Sequence, residues 1–157
     1  MDRPTLDPAI REVVRTVHRR LDGTGVEWAL TGSASFALQG VPVEPNDVDV
    51  QTTERGAYAI EERFADSVVD PISRSESSAI RSHFGALELR GVRVEVMGDL
   101  RKRVDGRWEP PVDVVARRER VPLDDAEIPV LSLSYEARAY EQLGRTERAA
   151  VLREYVD

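Results

Sequence analysis

Cysteine is absent from the 157-residue chain, which excludes disulfides, thiolate zinc sites and cysteine nucleophiles. Histidine occurs twice, as His18 and His83, so a multi-histidine metal cage or a Ser-His-Asp triad has little material to work with. No apolar run approaches the roughly 18 to 20 residues that a membrane-spanning helix requires. Met1–Thr5 lacks the basic-then-apolar design of a secretory signal, and the expectation is a cytoplasmic protein with no membrane partner. Lysine is nearly missing as well: of 22 basic residues, Lys102 is the single lysine. A GC-rich genome accounts for that bias without a functional reason, although arginine is also the better bidentate phosphate ligand. The net charge of −7 and a pI near 5.0 speak against bulk DNA binding, because coating nucleic acid draws on a basic surface. A small anionic ligand needs only a local cationic pocket or a metal, and stays open.

What is present has an ordinary globular balance, 41% hydrophobic and 32% charged, which is not the composition of a disordered chain. No repeat or low-complexity tract interrupts it. One domain over residues 1–157 is expected, with a core at about 8–121 and a C-terminal helical region at about 128–157. Ile10, Val13, Val14, Val17 and Leu21 recur at helical spacing behind Asp7-Pro8, with arginines on the other face. Val26–Thr31 reads as a strand, Gly32-Ser33 as a tight turn, Ala34–Leu38 as a short helix, and Asp47–Thr52 as an alternating second strand. Arg55–Ala65 follows as a helix. The Ser- and charge-rich stretch 71–81 reads as a loop or short irregular helix. Gly85–Val96 reads as a hairpin turning at Arg90-Gly91, with Asp105-Gly106 as a further turn. Residues 112–121 are expected to supply one or two strands, 128–133 is a short apolar segment, and two helices, 134–143 and 146–156, are broken at Gly144. This order predicts the α/β (α+β) class: a mixed β-sheet with flanking helices and short C-terminal helices.

The chemistry concentrates in Gly32-Ser33, Asp47-Val48-Asp49 and Glu95. An Asp-x-Asp triplet is weakly specific in a chain with 13 aspartates, but on a strand it places both carboxylates on one face. Two adjacent carboxylates repel until a proton or cation intervenes, and Mg²⁺ commonly uses one or two carboxylates plus substrate phosphates. Glu95, on the hairpin's polar face beside Arg93, is the expected third acid, with Asp99 a weaker candidate. A glycine at a strand-to-helix turn lets backbone approach a phosphate closely, and Ser33 adds a donor; a plain N-capped turn has the same pattern. Arg74 and Arg81, and the runs Arg101-Lys102-Arg103 and Arg117-Arg118, read as solvated edges rather than phosphate clamps. His83 and Trp28 read as structural, and Trp108 as a candidate partner-surface residue.

Together, residues 30–40 (LTGSASFALQG) and 46–50 (NDVDV) resemble the signature of the DNA polymerase β-like nucleotidyltransferase superfamily, in particular its small prokaryotic branch of minimal and antibiotic nucleotidyltransferases. The specific similarity covers residues 28–53; the hairpin to Asp99 and the tail from Ile128 to Arg145 match more loosely. The resemblance implies a nucleotidyltransferase fold in which Gly32 and Ser33 hold the nucleotide, and Asp47, Asp49 and Glu95 bind Mg²⁺ (or Mn²⁺) and act catalytically. It implies transfer of a nucleoside monophosphate, AMP from ATP, to a small-molecule, protein or RNA hydroxyl. Two metals roughly 3.5–4 Å apart would stabilise the attacking and leaving oxygens of an in-line displacement. The second reading is a catalytically inactive nucleotidyltransferase-fold binding protein, such as an antitoxin-like partner of a toxin, motivated by the non-basic loop Val43-Glu44-Pro45-Asn46. A chain this short also leaves open an acceptor site completed across a homodimer.

Overall fold

A computed structural model describes residues 6–156; the Met1–Thr5 stretch considered above lies outside them. Helix α1 (Pro8–Leu21) opens with proline at its first position, and its stripe of Ile10, Val13, Val14, Val17 and Leu21 is buried. Asp7 stands at the N-cap position without a capping side-chain hydrogen bond. Strand β1 (Trp28–Thr31) runs directly into α2 (Gly32–Leu38), and β2 (Val48–Thr52) follows the proline-bearing loop. Helix α3 (Glu54–Arg63) is capped by Thr53, whose hydroxyl accepts from the Gly56 N–H. Strands β3 (Val68–Glu76), β4 (Ile80–Leu89), β5 (Val92–Val104) and the short β6 (Arg107–Trp108) come next. A helical turn α4 (Val114–Arg117), strands β7 (Arg118–Leu123) and β8 (Ala126–Leu131), and helices α5 (Leu133–Gln142) and α6 (Thr146–Arg153) complete the described chain.

The strands form one mixed sheet in the order β3-β4-β5-β2-β1-β8-β7, with β6 paired to β5. The β2–β5 and β1–β8 pairs are parallel, and the other pairs antiparallel. The mixed α/β class expected from the element order is therefore the observed one. Leu30, Val48, Val50, Val94 and Val96 share the sheet face that packs in one core with the apolar stripe of α1 and with Ala57 and Ile60 of α3. A second cluster joins Phe36 of α2 and Val41 to Leu133 and Ala137 of α5 and Ala149 and Leu152 of α6. The opposite parity of β2 and β5, carrying Asp49, Gln51, Glu95 and Met97, is left for a site.

One segment differs from its sequence reading, and a second is extended over only part of its length. Residues 71–81 are not a loop or irregular helix: they are most of β3, a three-residue turn, and the start of β4. β3 lies at the sheet edge with Ile72 as its single buried residue, so it needs no apolar alternation, and Pro71 and the charges suit an edge strand. Within 112–121, the Asp113 carboxylate accepts from Ala116 N at 3.1 Å and nucleates the turn α4; only β7 is a strand there. The Asp side chain competes with extended backbone at that point and wins.

Gly98 of β5 is the seat of α3. A Cβ there would stand 2.7 Å from the Thr53 carbonyl oxygen and 2.8 Å from the Ala57 Cβ, so Gly98→Ala should cost about 1–3 kcal/mol by overpacking. In thermal denaturation that is a Tm lower by roughly 3–10 °C; an unchanged Tm would show that α3 can lift without cost.

Candidate active site

One row across the sheet builds the centre of the site. Thr31 is opposite Asp49 in the antiparallel β1–β2 pair, and Asp49 is opposite Glu95 in the parallel β2–β5 pair. Laterally paired residues share a sheet face, so the register brings together residues 31, 49 and 95. Asp47 immediately precedes β2. Oxygen atoms of Asp47, Asp49 and Glu95 all lie within 4.8 Å of one another, and all three residues are half-buried. Arg93 donates from Nε to a Glu95 oxygen at 2.9 Å.

Negative charge is under strain at the middle member. Burial, then the neighbouring Asp47 and Glu95 carboxylates, push the Asp49 carboxyl up to about 7. The turn at Gly32 shapes the other wall. Its φ is +71°, and a Cβ there would overlap the Asp49 carboxylate, so glycine is required twice over, for conformation and for space. Hard oxygen donors in a close group, with repulsion that a cation would relieve and a wall cleared by glycine, fit Mg²⁺ or Mn²⁺.

Helix α5 closes the site from above. The Glu136 carboxylate accepts from the Thr31 hydroxyl at 2.7 Å and from the Gly32 N–H at 3.3 Å. Complete burial pushes its carboxyl up to about 7, against those two hydrogen bonds and the Lys102 charge, which pull it down. Gly32, Asp49, Glu95, Glu136 and Lys102 line one cleft of about 260 Å³. Ser33 and Asp47 are not on its wall.

Sequence reasoning missed Glu136 and Lys102. The signal for Glu136 is an acid beside the apolar Leu133 and Ala137 on the inner side of α5. For Lys102 it is alternation within Leu100-Arg101-Lys102-Arg103, where Leu100 and Lys102 are buried while Arg103 is exposed; the expected solvated edge holds for Arg103 and not for Lys102.

Asp99 is not with the acid cluster. β5 carries an extra residue opposite β4 between Gly98 and Arg101, where Asp99 adopts φ +48°, and this bulge breaks its parity with Glu95. Asp99 lines a separate cavity with Arg74 and Arg81, which are therefore also away from the carboxylates. His83 is held by Glu54 at 3.1 Å and by the Tyr58 hydroxyl at 3.3 Å. Trp28 is buried in the main core, and Trp108 is half-buried between the Arg81 and Arg103 guanidinium groups.

The comparisons with known proteins bear on the family and the fold. The profile of the aminoglycoside-2''-adenylyltransferase family matches residues 13–154, nearly the whole chain. The chain belongs to this family. It is accordingly a small nucleotidyltransferase of the polymerase β-like type by family. A crystal structure of a nucleotidyltransferase candidate from Thermotoga maritima is 47% identical, covers 96% of this chain and 94% of its own, and superposes with a TM-score of 0.86. A lincomycin-bound lincosamide antibiotic adenylyltransferase is 9% identical over 96% of this chain and 99% of its own, with a TM-score of 0.58. The antibiotic-resistance factor ANT(2'')-Ia is 9% identical over 94% and 84%, with a TM-score of 0.59. These last two share the fold. A comparison with curated proteins gives no match. No helix among the described residues is long and apolar enough to cross a membrane.

A carboxyl whose folded pKa lies above its unfolded value binds extra protons when folded, so the fold loses stability as pH rises from about 4 through about 7. Without added metal, Asp49→Asn should remove its share of that loss, leaving that of Glu136, and raise the Tm at pH 8 by roughly 2–6 °C, read by thermal denaturation in chelator at pH 5 and 8. Equal Tm values for variant and wild type at pH 8 would mean that Asp49 is not strained. Gly32→Ala should act in the opposite direction and lower the Tm at both pH values.

Proposed function

We propose that this chain transfers AMP from ATP to an acceptor hydroxyl, with Mg²⁺ (or Mn²⁺) held by Asp47, Asp49 and Glu95. The observation that carries the reading is the convergence of these three carboxylates beside the Gly32 turn, and the family's adenylyl chemistry supports the choice of nucleotide. A divalent ion bound there would neutralise charge developing on the transferring phosphoryl group.

The chain's own residues do the remainder. Gly32 lets the Asp49 carboxylate close against the turn. Its N–H is already engaged by Glu136, so Ser33 is the donor that this turn offers to the nucleotide. The acceptor oxygen forms its bond to the α-phosphorus while the bond from that phosphorus to the bridging oxygen breaks, and pyrophosphate leaves with the electron pair. Glu95, oriented by Arg93, accepts the hydroxyl proton. Glu136 fixes the backbone of the turn without touching the reacting atoms, and is a positioning residue.

Calorimetric titration of Mg²⁺–ATP into the wild type should give saturable, metal-dependent binding, weakened at least about 100-fold in Asp47→Asn/Asp49→Asn. Glu95→Gln should lower AMP transfer by about 10²- to 10⁴-fold, the range of general-base catalysis, with nucleotide still bound. Absence of Mg²⁺–ATP binding by the wild type would overturn the transferase reading and leave the noncatalytic role, a protein partner such as a toxin being then the ligand to seek.

A further inference from the structure

One step along the strands from the carboxylate row, the same sheet face carries a row of different character. Gln51 of β2 stands between Ala29 of β1 and Met97 of β5 in the strand register. It is two residues beyond Asp49, and so about 6–7 Å further along β2. Gln51 is 6% exposed, and its Oε1 is the one buried side-chain oxygen or nitrogen among the described residues that has no hydrogen-bond partner. Neither a methyl nor a thioether is a donor, so the lateral neighbours leave that oxygen unpaired. An unpaired buried acceptor destabilises a fold. A leucine would fill the same space without that cost, so packing does not account for the amide, and a ligand does.

Gln51 lines the cleft of about 260 Å³ that also holds Gly32, Asp49 and Glu95. Sites for a whole drug-sized ligand run from about 300 to 1,000 Å³, so this cleft takes a part of a nucleotide. Beside Gln51 its walls are apolar, with Ile80, Met97 and Leu100 from the sheet, Ala139 of α5 and Leu143 at the end of that helix. Such walls accept the faces of a flat heterocycle, and would leave the hydroxyls of a sugar without partners. We propose that the nucleobase enters between the sheet and α5, its exocyclic amine donating to Gln51 Oε1, and that Gln51 sets the preference for adenine. The inference rests on the transferase reading and names the residue that reads its nucleotide. A ribose separates the base from the α-phosphate, as one strand row separates Gln51 from Asp49. Adenine carries the N6 amine donor where guanine carries the O6 acceptor, so a guanine would set one acceptor against another. Lys102, on the same cleft, is engaged by the Tyr135 hydroxyl at 3.1 Å and by the Glu109 carboxylate at 3.6 Å, which leaves the reading of the base to Gln51.

The test uses the full chain in Mg²⁺ with no acceptor present. ATP and purine riboside 5′-triphosphate, which differs from ATP only in lacking the amine, are titrated calorimetrically. Wild type should bind ATP about 5- to 10-fold more tightly, the worth of one neutral hydrogen bond. Gln51→Leu should reduce that ratio to within about twofold, while its Tm without nucleotide stays at or above that of the wild type. Gln51→Met, which keeps the length and loses the amide, should give the same reduced ratio and serves where leucine packs poorly. A merely structural amide would do the reverse, with a lower Tm in both variants and the ratio kept. Equal affinities for the two triphosphates in wild type would overturn the proposal, and so would a preference for ATP that survives in both variants. Failure of wild type to bind either triphosphate is a distinct outcome, and strikes the transferase reading itself.

Discussion

Like charges held within 4.8 Å of one another are the constraint around which the rest of this molecule is arranged. Asp47, Asp49 and Glu95 are brought together by a register that the buried valines enforce. Val48 and Val50 of β2 and Val94 and Val96 of β5 sit in the same core, and slipping either strand by one residue would exchange valines for carboxylates. Burial of apolar surface thus holds the acids in a position that their own electrostatics oppose. The fold is strained where it is chemically useful, a pattern expected of active sites.

Glu136 plays the complementary part. It ties α5 to the β1–α2 turn through the Thr31 hydroxyl and the Gly32 amide, and α5 in turn packs on α2 and α6 through a cluster separate from the main core. The wall of the cleft and the turn beside Asp49 are therefore one mechanical unit. A carboxylate in so dry a position is costly, and its two hydrogen bonds are what make it tolerable.

Much of this was legible in the residues. The helical stripe of α1, the strand-to-helix turn at Gly32, the Asp47–Asp49 spacing and the alternation around Arg90-Gly91 each reflect a local rule acting on neighbouring side chains. What escaped reading depended on distant partners. β3 is a strand because β4 supplies hydrogen bonds to an edge that buries almost nothing, and its sequence records no such pressure. Asp99 left the acid row because of one extra residue opposite β4, a bulge that parity along β5 does not reveal. Lys102 and Glu136 each carry only a faint local signal, parity with Leu100 in one case and neighbouring Leu133 and Ala137 in the other, and it takes the cleft to separate them from ordinary surface charges.

The tie between Thr31 and Glu136 spans 105 positions of the chain, and β1 also pairs in parallel with β8 at Leu30 and Val130. Neither link can form until the residues of β8 and α5 have left the ribosome. The acid row draws on segments before residue 96, while its covering wall comes from α5, Leu133–Gln142. Without β8 and α5 the carboxylates would lack both the parallel neighbour of β1 and the wall that Glu136 ties down. Pairings of such long sequence separation also make the closing step slow relative to hairpin formation. Completion of the cleft thus requires that segments 105 positions apart in the chain have met.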